Sequence, residues 1–295
     1  MRYTLRQLEV FLATAHFQNV TKAAESLSLS QSAASGALKD LERQFDVQLF
    51  DRVGKRLQAN EFGKRLRVKA EALLSQAQAL ESELARNQNI GTIKVGATLT
   101  IGNYLCVDLI NHYIEGGSDA KVNLEVANTE TIFNEILNFD IDLGLIEGEY
   151  HHPDIEAIPW QDDQLQCFCS PQHPLAKLGT LNDTALLDAN WILREHGSGT
   201  RQTFDRAMHG LLPELNITLE LQHTEAIKRA VEKGLGISCL SEITLEDAFS
   251  RGSLVPLKVP SRDLSRKLYC VIHKQKYLGA GIRHWMTICG LTPPR

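Results

Sequence analysis

Gln31, Ser32 and Ser35 stand in the first turns of a segment whose apolar spacing predicts a helix. Glutamine can pair in two places with the edge of adenine, and serine can donate to or accept from any base. A helix lying in a major groove presents its amino-terminal residues to the bases, and its N-terminus also favours a phosphate. With Gly36 they are small and polar and add no bulk that would block entry into a groove. The same residues fit a solvated helix start in some other three-helix domain, so their types alone leave both readings open. A second chemistry recurs further on. Thr98 and Thr100, Asn128 and Thr129, Ser198-Gly199-Thr200 and Thr224 all fall where a predicted strand ends and a predicted helix begins. Backbone amides and helix dipoles at such junctions favour an anion, above all if several converge on one cleft. Each junction on its own fits ordinary helix capping.

Catalytic and metal chemistry find less support. The ten histidines are scattered, and H-E-x-x-H, G-x-S-x-G, GxGxxG and phosphate-binding glycine loops are absent from the sequence. Cys106 is a conceivable nucleophile, because helix N-termini lower thiol pKa values, but it falls inside its predicted helix. The six cysteines form no CxxC pair and no Cys/His cluster; Cys167 and Cys169 share one face of a predicted strand, where thiols behave as small buried hydrophobes. No metal site and no cofactor is expected, and His151-His152-Pro153 reads as a loop.

The elements that must position these residues follow from periodicity. Leu5, Leu8, Phe11, Leu12 and Ala15 predict a helix over 5–17. Thr21 is expected to cap a short helix ending near Leu27, and Ser30 to cap a third helix over 31–45 with Ala34, Leu38, Leu41 and Phe45 facing in. Two short helices joined by a tight turn make a helix-turn-helix. After it, residues 49–60 read as a hairpin wing with a Gly-Lys-Arg tip, so Arg52, Lys55 and Arg56 would lie along phosphates, unless the hairpin is only a charged surface turn. Thr21, Ser30 and Lys39 join Gln31, Ser32 and Ser35 as the expected DNA-facing set.

Asn60 is placed to cap a helix running to about Arg86, in which Leu66, Ala70, Leu73, Ala77, Leu80 and Leu84 repeat at heptad spacing. So narrow a seam suits one partner helix, the alternative being a helix packed on its own domain. Asn87-Gln88-Asn89 reads as a hinge. From Gly91 strands and helices alternate: strands at 92–97, 121–127, 141–146, 164–170, 191–193, 218–222, 237–240 and 267–273, and helices at 101–114, 129–139, 200–208, 225–233 and 279–289. Such alternation predicts parallel sheet covered by helices. Residues 1–69 carry 12 Lys and Arg against 7 Asp and Glu, and the remainder 19 against 29. A basic head on an acidic body suits a protein with one nucleic-acid-binding end. The amino end lacks the apolar run and cleavage site of a signal peptide, and no stretch of about 18 apolar residues occurs, so a cytoplasmic protein with no membrane partner is expected.

LRQLEVFLATA, VTKAAESLSLSQSAASGALKDLERQFDVQLFDRVGKR and NEFGK closely resemble the amino-terminal domain of LysR-type transcriptional regulators. Gly36, where a larger residue is usual, and Phe62, where Thr or His is common, depart from the pattern; a glycine weakens a helix by roughly 1 kcal/mol against alanine. TLTIGNYL, DLGLIEG, WILREHGSGTR and TEAIKRAVEKGLGISCLS extend the resemblance over nearly the whole chain, toward the sulfite-responsive YeiE-like group near the CbbR-like regulators. It implies an α+β multidomain chain: a winged helix-turn-helix over 1–59, a dimerising linker helix and hinge over 60–90, and a two-lobed α/β effector domain of the type 2 periplasmic-binding-protein kind. One lobe is expected at 91–162 plus 268–295 and the other at 163–267.

The resemblance further implies a small anionic effector held by Thr98, Thr100, Glu147, Ser198, Gly199, Thr200 and Thr224, with Asn128, Thr129 and Glu195 nearby. It implies promoter DNA and a second copy of the chain as partners, RNA polymerase as another, a homotetramer built as a dimer of dimers, and action as activator or repressor. Glu147 is awkward beside an anion: it must gate, take a proton from a bisulfite-like species, point elsewhere, or pair with a lobe residue. Glu195 and Arg201 could form an ordinary ion pair. The rival readings are a solute-binding protein, against which the DNA-reading head argues, and an enzyme.

Overall fold

The computed structural model describes residues 2–54, 56–84, 90–148 and 150–293. They fold as two compact units, Met1–Ile90 with Lys274–Arg283 and Gly91–His273 with His284–Arg295.

In the first unit α1 (Leu5–Phe17) starts from a capping box: the Thr4 hydroxyl accepts from the Gln7 amide, and the Gln7 side chain accepts from the Thr4 amide. The cap of α2 (Val20–Ser26) is Asn19, not Thr21 as the sequence suggested. Asn19 Oδ1 accepts from the Thr21 and Lys22 amides, leaving Thr21 exposed in the first turn. Asparagine is the stronger cap, and its side chain reaches both orphan amides at once. Helix α3 (Gln31–Phe45) begins as expected, with Ser30 Oγ accepting from the Ala33 amide. Phe45 in its last turn does not face in; it is exposed, with its ring 6.2 Å from that of Tyr3. Strands β1 (Phe50–Val53) and β2 (Arg56–Ala59) pair as an antiparallel hairpin, and Lys55 at its tip lies outside the described residues.

Asn60 caps α4 (Glu61–Leu84) by accepting from the Gly63 amide at 2.8 Å. Val10, Phe11, Ala34 and Leu49 form the buried centre, and Phe11 meets Phe50 edge-on at 5.6 Å. The heptad seam of α4 divides. Ala70 is buried, and Leu66 and Leu73 pack, on this same core, whereas Leu80 is 57% exposed. Leu84 ends the helix. The side chain of Leu84, the helix continuation to Arg86 and the hinge over 87–89 all lie outside what is described.

The second unit opens with β3 (Thr92–Thr98), α5 (Leu99–Tyr104) and α6 (Cys106–Glu115). One helix over 101–114 was expected. The chain instead starts a helix two residues earlier and breaks it at Leu105. Gly102 lets α5 lie close on the neighbouring strand, since a Cβ there would collide with the Val126 side chain. Then come β4 (Lys121–Ala127), α7 (Thr129–Leu137), β5 (Leu143–Glu147) and β6 (Ile155–Cys169). Strand β6 begins well before Gln164, where the sequence placed it. Its first half holds Pro159, which weakens the strand signal in the sequence but which the ladder tolerates at a register shift opposite Tyr269.

The remainder comprises α8 (Asp183–Asp188), β7 (Asn190–Arg194), α9 (Gly199–Ala207), β8 (Asn216–Leu221), α10 (Thr224–Glu232), β9 (Ser238–Ser241), α11 (Glu246–Ser250), β10 (Val255–Leu257), β11 (Ser265–His273) and α12 (Ala280–Ile288). Helices α8 and α11 and strand β10 were not anticipated. Each is too short to show a period.

Only parts of the sheet are parallel. Strand β3 pairs in parallel with β4 and β5, and β7 with β8. The long strands β6 and β11 run antiparallel to each other, and β5, β9 and β10 join them antiparallel. Strand β6 therefore belongs to two lobes: it pairs with β11 along its first part and with β9 and β10 along its last. The lobe on β3–β5 is filled by residues such as Ile132, Ile136 and Val271, with Tyr113 against Trp285 at 5.7 Å. The other is filled around Trp191, Phe204 and Met208, among which Cys167, Cys169 and Cys239 are buried as small apolar groups. Among the described residues no helix is long and apolar enough to cross a membrane.

Candidate functional site

In the first unit the exposed side of α3 carries the expected residues. Gln31, Ser32 and Lys39 are exposed and Ser35 half-buried, while Ala34, Leu38 and Leu41 anchor the opposite side. Ser30 Oγ lies 3.1 Å from Ser32 Oγ, so the cap and the first outward hydroxyl are joined. The hairpin is braced against this helix. Glu42 on α3 accepts from the Leu49 amide at 2.8 Å, Asn60 Nδ2 donates to the Gln48 carbonyl, and the Leu57 amide donates to the Gln18 carbonyl at the end of α1. Arg52 and Arg56 are both exposed, but the ladder pairs Arg52 with Leu57 and Arg56 with Val53. Opposed residues share a face and neighbours alternate, so the two arginines project from opposite faces of the ribbon.

In the second unit a single carboxylate gathers the expected residues. Glu147, at the carboxyl end of β5, is almost wholly buried. Its Oε1 accepts from the Thr100 amide at 2.9 Å, in the first turn of α5. Its Oε2 accepts from the Thr200 hydroxyl at 2.9 Å, in the first turn of α9, and from Arg266 Nη1 at 2.9 Å. Thr129 Oγ1 donates to the Glu147 carbonyl and accepts from the Gly199 amide. Only glycine serves at 199, because a Cβ there would strike the Glu147 carbonyl. The two lobes thus meet through Thr100, Thr129, Glu147, Gly199 and Thr200, with a further bond from the Glu130 amide to the Gly197 carbonyl.

Glu147 is therefore a strand-end carboxylate paired across the fold. Burial pushes its pKa up, but the Arg266 guanidinium, the Thr100 amide and the Thr200 hydroxyl outweigh burial and hold it well below the usual carboxylate range. The ion pair continues: Arg266 Nε donates to Asp163 Oδ2 at 2.6 Å, and Asp163 accepts from Ser241 Oγ at 2.7 Å. Arg266 is the group the sequence reading missed. It sits one residue before the predicted start of its strand, and the one signal was a charge facing inward in an otherwise alternating run. The expected Glu195–Arg201 pair does not form. Glu195 takes both Nε and Nη2 of Arg194, at 2.8 and 2.9 Å, and Arg201 pairs with Asp205 and Glu220. The Arg201 guanidinium is committed elsewhere, Nε to Asp205 and Nη1 to Glu220 and the Arg194 carbonyl, so the adjacent Arg194 takes Glu195 with two parallel bonds.

Three hydroxyls at helix starts of this unit do no capping. Thr98, Ser198 and Thr224 stand at or beside the first turns of α5, α9 and α10, are almost wholly buried, and have oxygens with no hydrogen-bond partner among the described residues. Asn128, by contrast, is spent as a cap, accepting from the Thr131 amide. Thr224 begins the helix whose next turn is tied back to α5: the Tyr104 hydroxyl donates to Glu225 at 2.6 Å, and Lys228 Nζ donates to Glu225 at 2.7 Å and to Tyr104 at 3.3 Å. Buried hydroxyls without partners are uncommon and call for an explanation. Cys106 offers no nucleophile, since burial pushes its thiol up to about 12.

Sequence comparison agrees with this geometry. Residues 5–64 match the model of the bacterial regulatory helix-turn-helix proteins of the lysR family, and residues 86–290 that of the LysR substrate binding domain. The chain is 44% identical over 289 residues to the uncharacterised HTH-type transcriptional regulator YeiE of Escherichia coli strain K12, covering 98% of each chain. A full-length OxyR point variant from Pseudomonas aeruginosa has a similar fold, with a TM-score of 0.77 at 22% identity over 99% of this chain and 96% of that one. The regulatory domain of CcmR from Synechocystis PCC6803, solved in complex with 2-PG, gives 0.62 at 29% identity over 68% of this chain and 95% of that one. The families and sequence relatives are regulators rather than enzymes. With a helix-turn-helix and braced hairpin in one unit and a two-lobed effector domain in the other, the chain belongs to the LysR family of DNA-binding transcriptional regulators.

Proposed function

We propose that this regulator's promoter binding is modulated by a small anion, sulfite being the first candidate, bound where the first turns of α5, α9 and α10 converge. The observation that carries the reading is the trio of buried, unpartnered hydroxyls on Thr98, Ser198 and Thr224. They supply donors that no described residue uses, beside amides at helix N-termini. Glu147 does not oppose an anion there, because Arg266 already neutralises it and both of its oxygens are occupied. Thr100, Thr129, Gly199 and Thr200 form the supporting wall; Asn128 and Glu195, engaged in their own bonds, support it from behind.

Gln31, Ser32 and Ser35, flanked by Thr21, Ser30 and Lys39, read the operator, while the wing meets phosphates through Lys55 and whichever of Arg52 and Arg56, on opposite faces of the ribbon, turns toward the backbone. Two copies associate through α4 and pair again as a dimer of dimers. The boundaries are those of the sequence: head 1–59, linker 60–90, and lobes 91–162 plus 268–295 and 163–267. A ligand shifts promoter binding only through unequal affinity for two lobe arrangements.

The test is thermal stabilisation of the full-length protein by a panel of sulfite, sulfate, phosphate and acetate. Thr98→Val, Ser198→Ala and Thr224→Val should leave the ligand-free melting temperature unchanged or raised, since each removes an unpaired buried group. The same variants should lose most of the stabilisation by the best anion. Full retention of that stabilisation would sink the cleft.

A further inference from the structure

We propose that Gly36 sets sequence specificity: the backbone of α3 there lies in van der Waals contact with a base-pair edge, closer than any side chain would permit. The inference rests on the DNA-reading role of α3. Gly36 falls in the interior of a 15-residue helix, where glycine is a poor helix former. Nothing in the fold asks for it. Its φ is not positive, and a Cβ built on it meets no atom within 4 Å, so that bond points into open space. The glycines at 63, 96, 102, 144, 199 and 236 differ, since a Cβ on each would meet a neighbouring atom of the chain at less than 3 Å.

The direction of that open space is informative. Gly36 follows exposed Ser32 by four residues and precedes exposed Lys39 by three, so it shares the outward row of the helix. On this row hydroxyls and a lysine offer polar contact, and Gly36 offers bare backbone. A missing methyl on a groove-facing row lets the helix axis settle deeper by the thickness of that methyl. The ligand recognised at this position is therefore the base edge itself, by shape, while the neighbouring serines supply the hydrogen bonds.

The experiment uses the full-length wild-type chain to select a duplex from a random pool, then compares wild type with Gly36→Ala. Alanine is the better helix former and meets no clash, so the melting transition of the variant should be equal or a few degrees higher. Its affinity for the selected duplex should nevertheless fall, by roughly tenfold, the scale of one methyl forced into a close-packed contact. Binding to an unrelated duplex should not change, because phosphate contacts are untouched. Repeating the selection with the variant should yield different preferred bases under α3.

Undiminished affinity of Gly36→Ala for the selected duplex would overturn the proposal. So would an equal loss on both duplexes, or a lower melting temperature, which would mean that the fold needs the glycine after all. A wild-type chain that selects no duplex would remove the reading helix as well; the variant results bear on Gly36 alone.

Discussion

Arg266 decides most at the scale of single residues. Its side chain is 1% exposed and lies between two equally buried carboxylates, Glu147 and Asp163. Taking three charges out of water is costly, and such a triad is stable only while each partner remains. Arg266→Met should therefore destabilise the body by about 3–5 kcal/mol in urea unfolding, because two carboxylates are stranded. Glu147→Gln, which leaves the Arg266–Asp163 pair whole, should cost clearly less; equal losses would refute a network centred on the arginine.

The same network sets a pH dependence. The folded pKa of Glu147 is depressed to about 2 from the ordinary value of 4.5, as Arg266 and the two threonines outweigh its burial. Its contribution to stability is then complete above about pH 4.5 and is lost as pH falls toward 2. In urea unfolding at a series of pH values, Glu147→Gln should flatten the stability curve across that interval. A curve as steep as that of the wild type would assign the acid sensitivity to other carboxylates.

At the scale of elements the wing makes a prediction that the sequence could not. Arg52 and Arg56 flank a hairpin tip and were expected to line phosphates together. The ladder turns them to opposite faces, so only one reaches a given backbone. The double variant Arg52→Ala/Arg56→Ala should lower the slope of log affinity against log salt by about one unit, the value for one lost phosphate contact. A fall of about two units would show both in contact, and no change would take the wing out of the interface.

The bracing from Glu42 and Asn60 explains why so short a hairpin holds its place. Two strands alone are marginal in water. The split of α4 is also an element-scale finding. Heptad spacing told which residues are apolar, but not that Leu66, Ala70 and Leu73 cover the head's own core. That core is built from helices distant in sequence.

For the whole molecule, the carboxyl-terminal part of α4 is the place to test self-association. Leu80 exposes 57% of its surface at the seam position where a partner helix would bury it. Leu80→Glu should shift the sedimentation of the protein toward a smaller species and weaken operator binding, since two heads on one particle bind far more tightly than one. Unaltered sedimentation would place the association elsewhere. A basic head joined to an acidic body also confines DNA to the head, because like charge keeps the remainder from competing for phosphate.

The head was readable almost to the residue because its rules are local. Helix periodicity, Ser30 and Asn60 as caps, and a glycine at a hairpin tip depend on neighbours a few positions apart. Of the slips there, Asn19 for Thr21 lay between two good capping residues, and Phe45 stood in a last turn that the core does not reach. In the body, the sequence by itself determined which segments alternate and where small hydroxyl residues meet helix starts. The tertiary structure alone decided what those residues do. Thr98, Ser198 and Thr224 are left without partners among the described residues while Asn128 is used as a cap, and Glu147 meets Arg266 across 119 positions of chain. A side chain's hydrogen bonds depend on which distant strand ends beside it, and no local pattern in the sequence carries that distance.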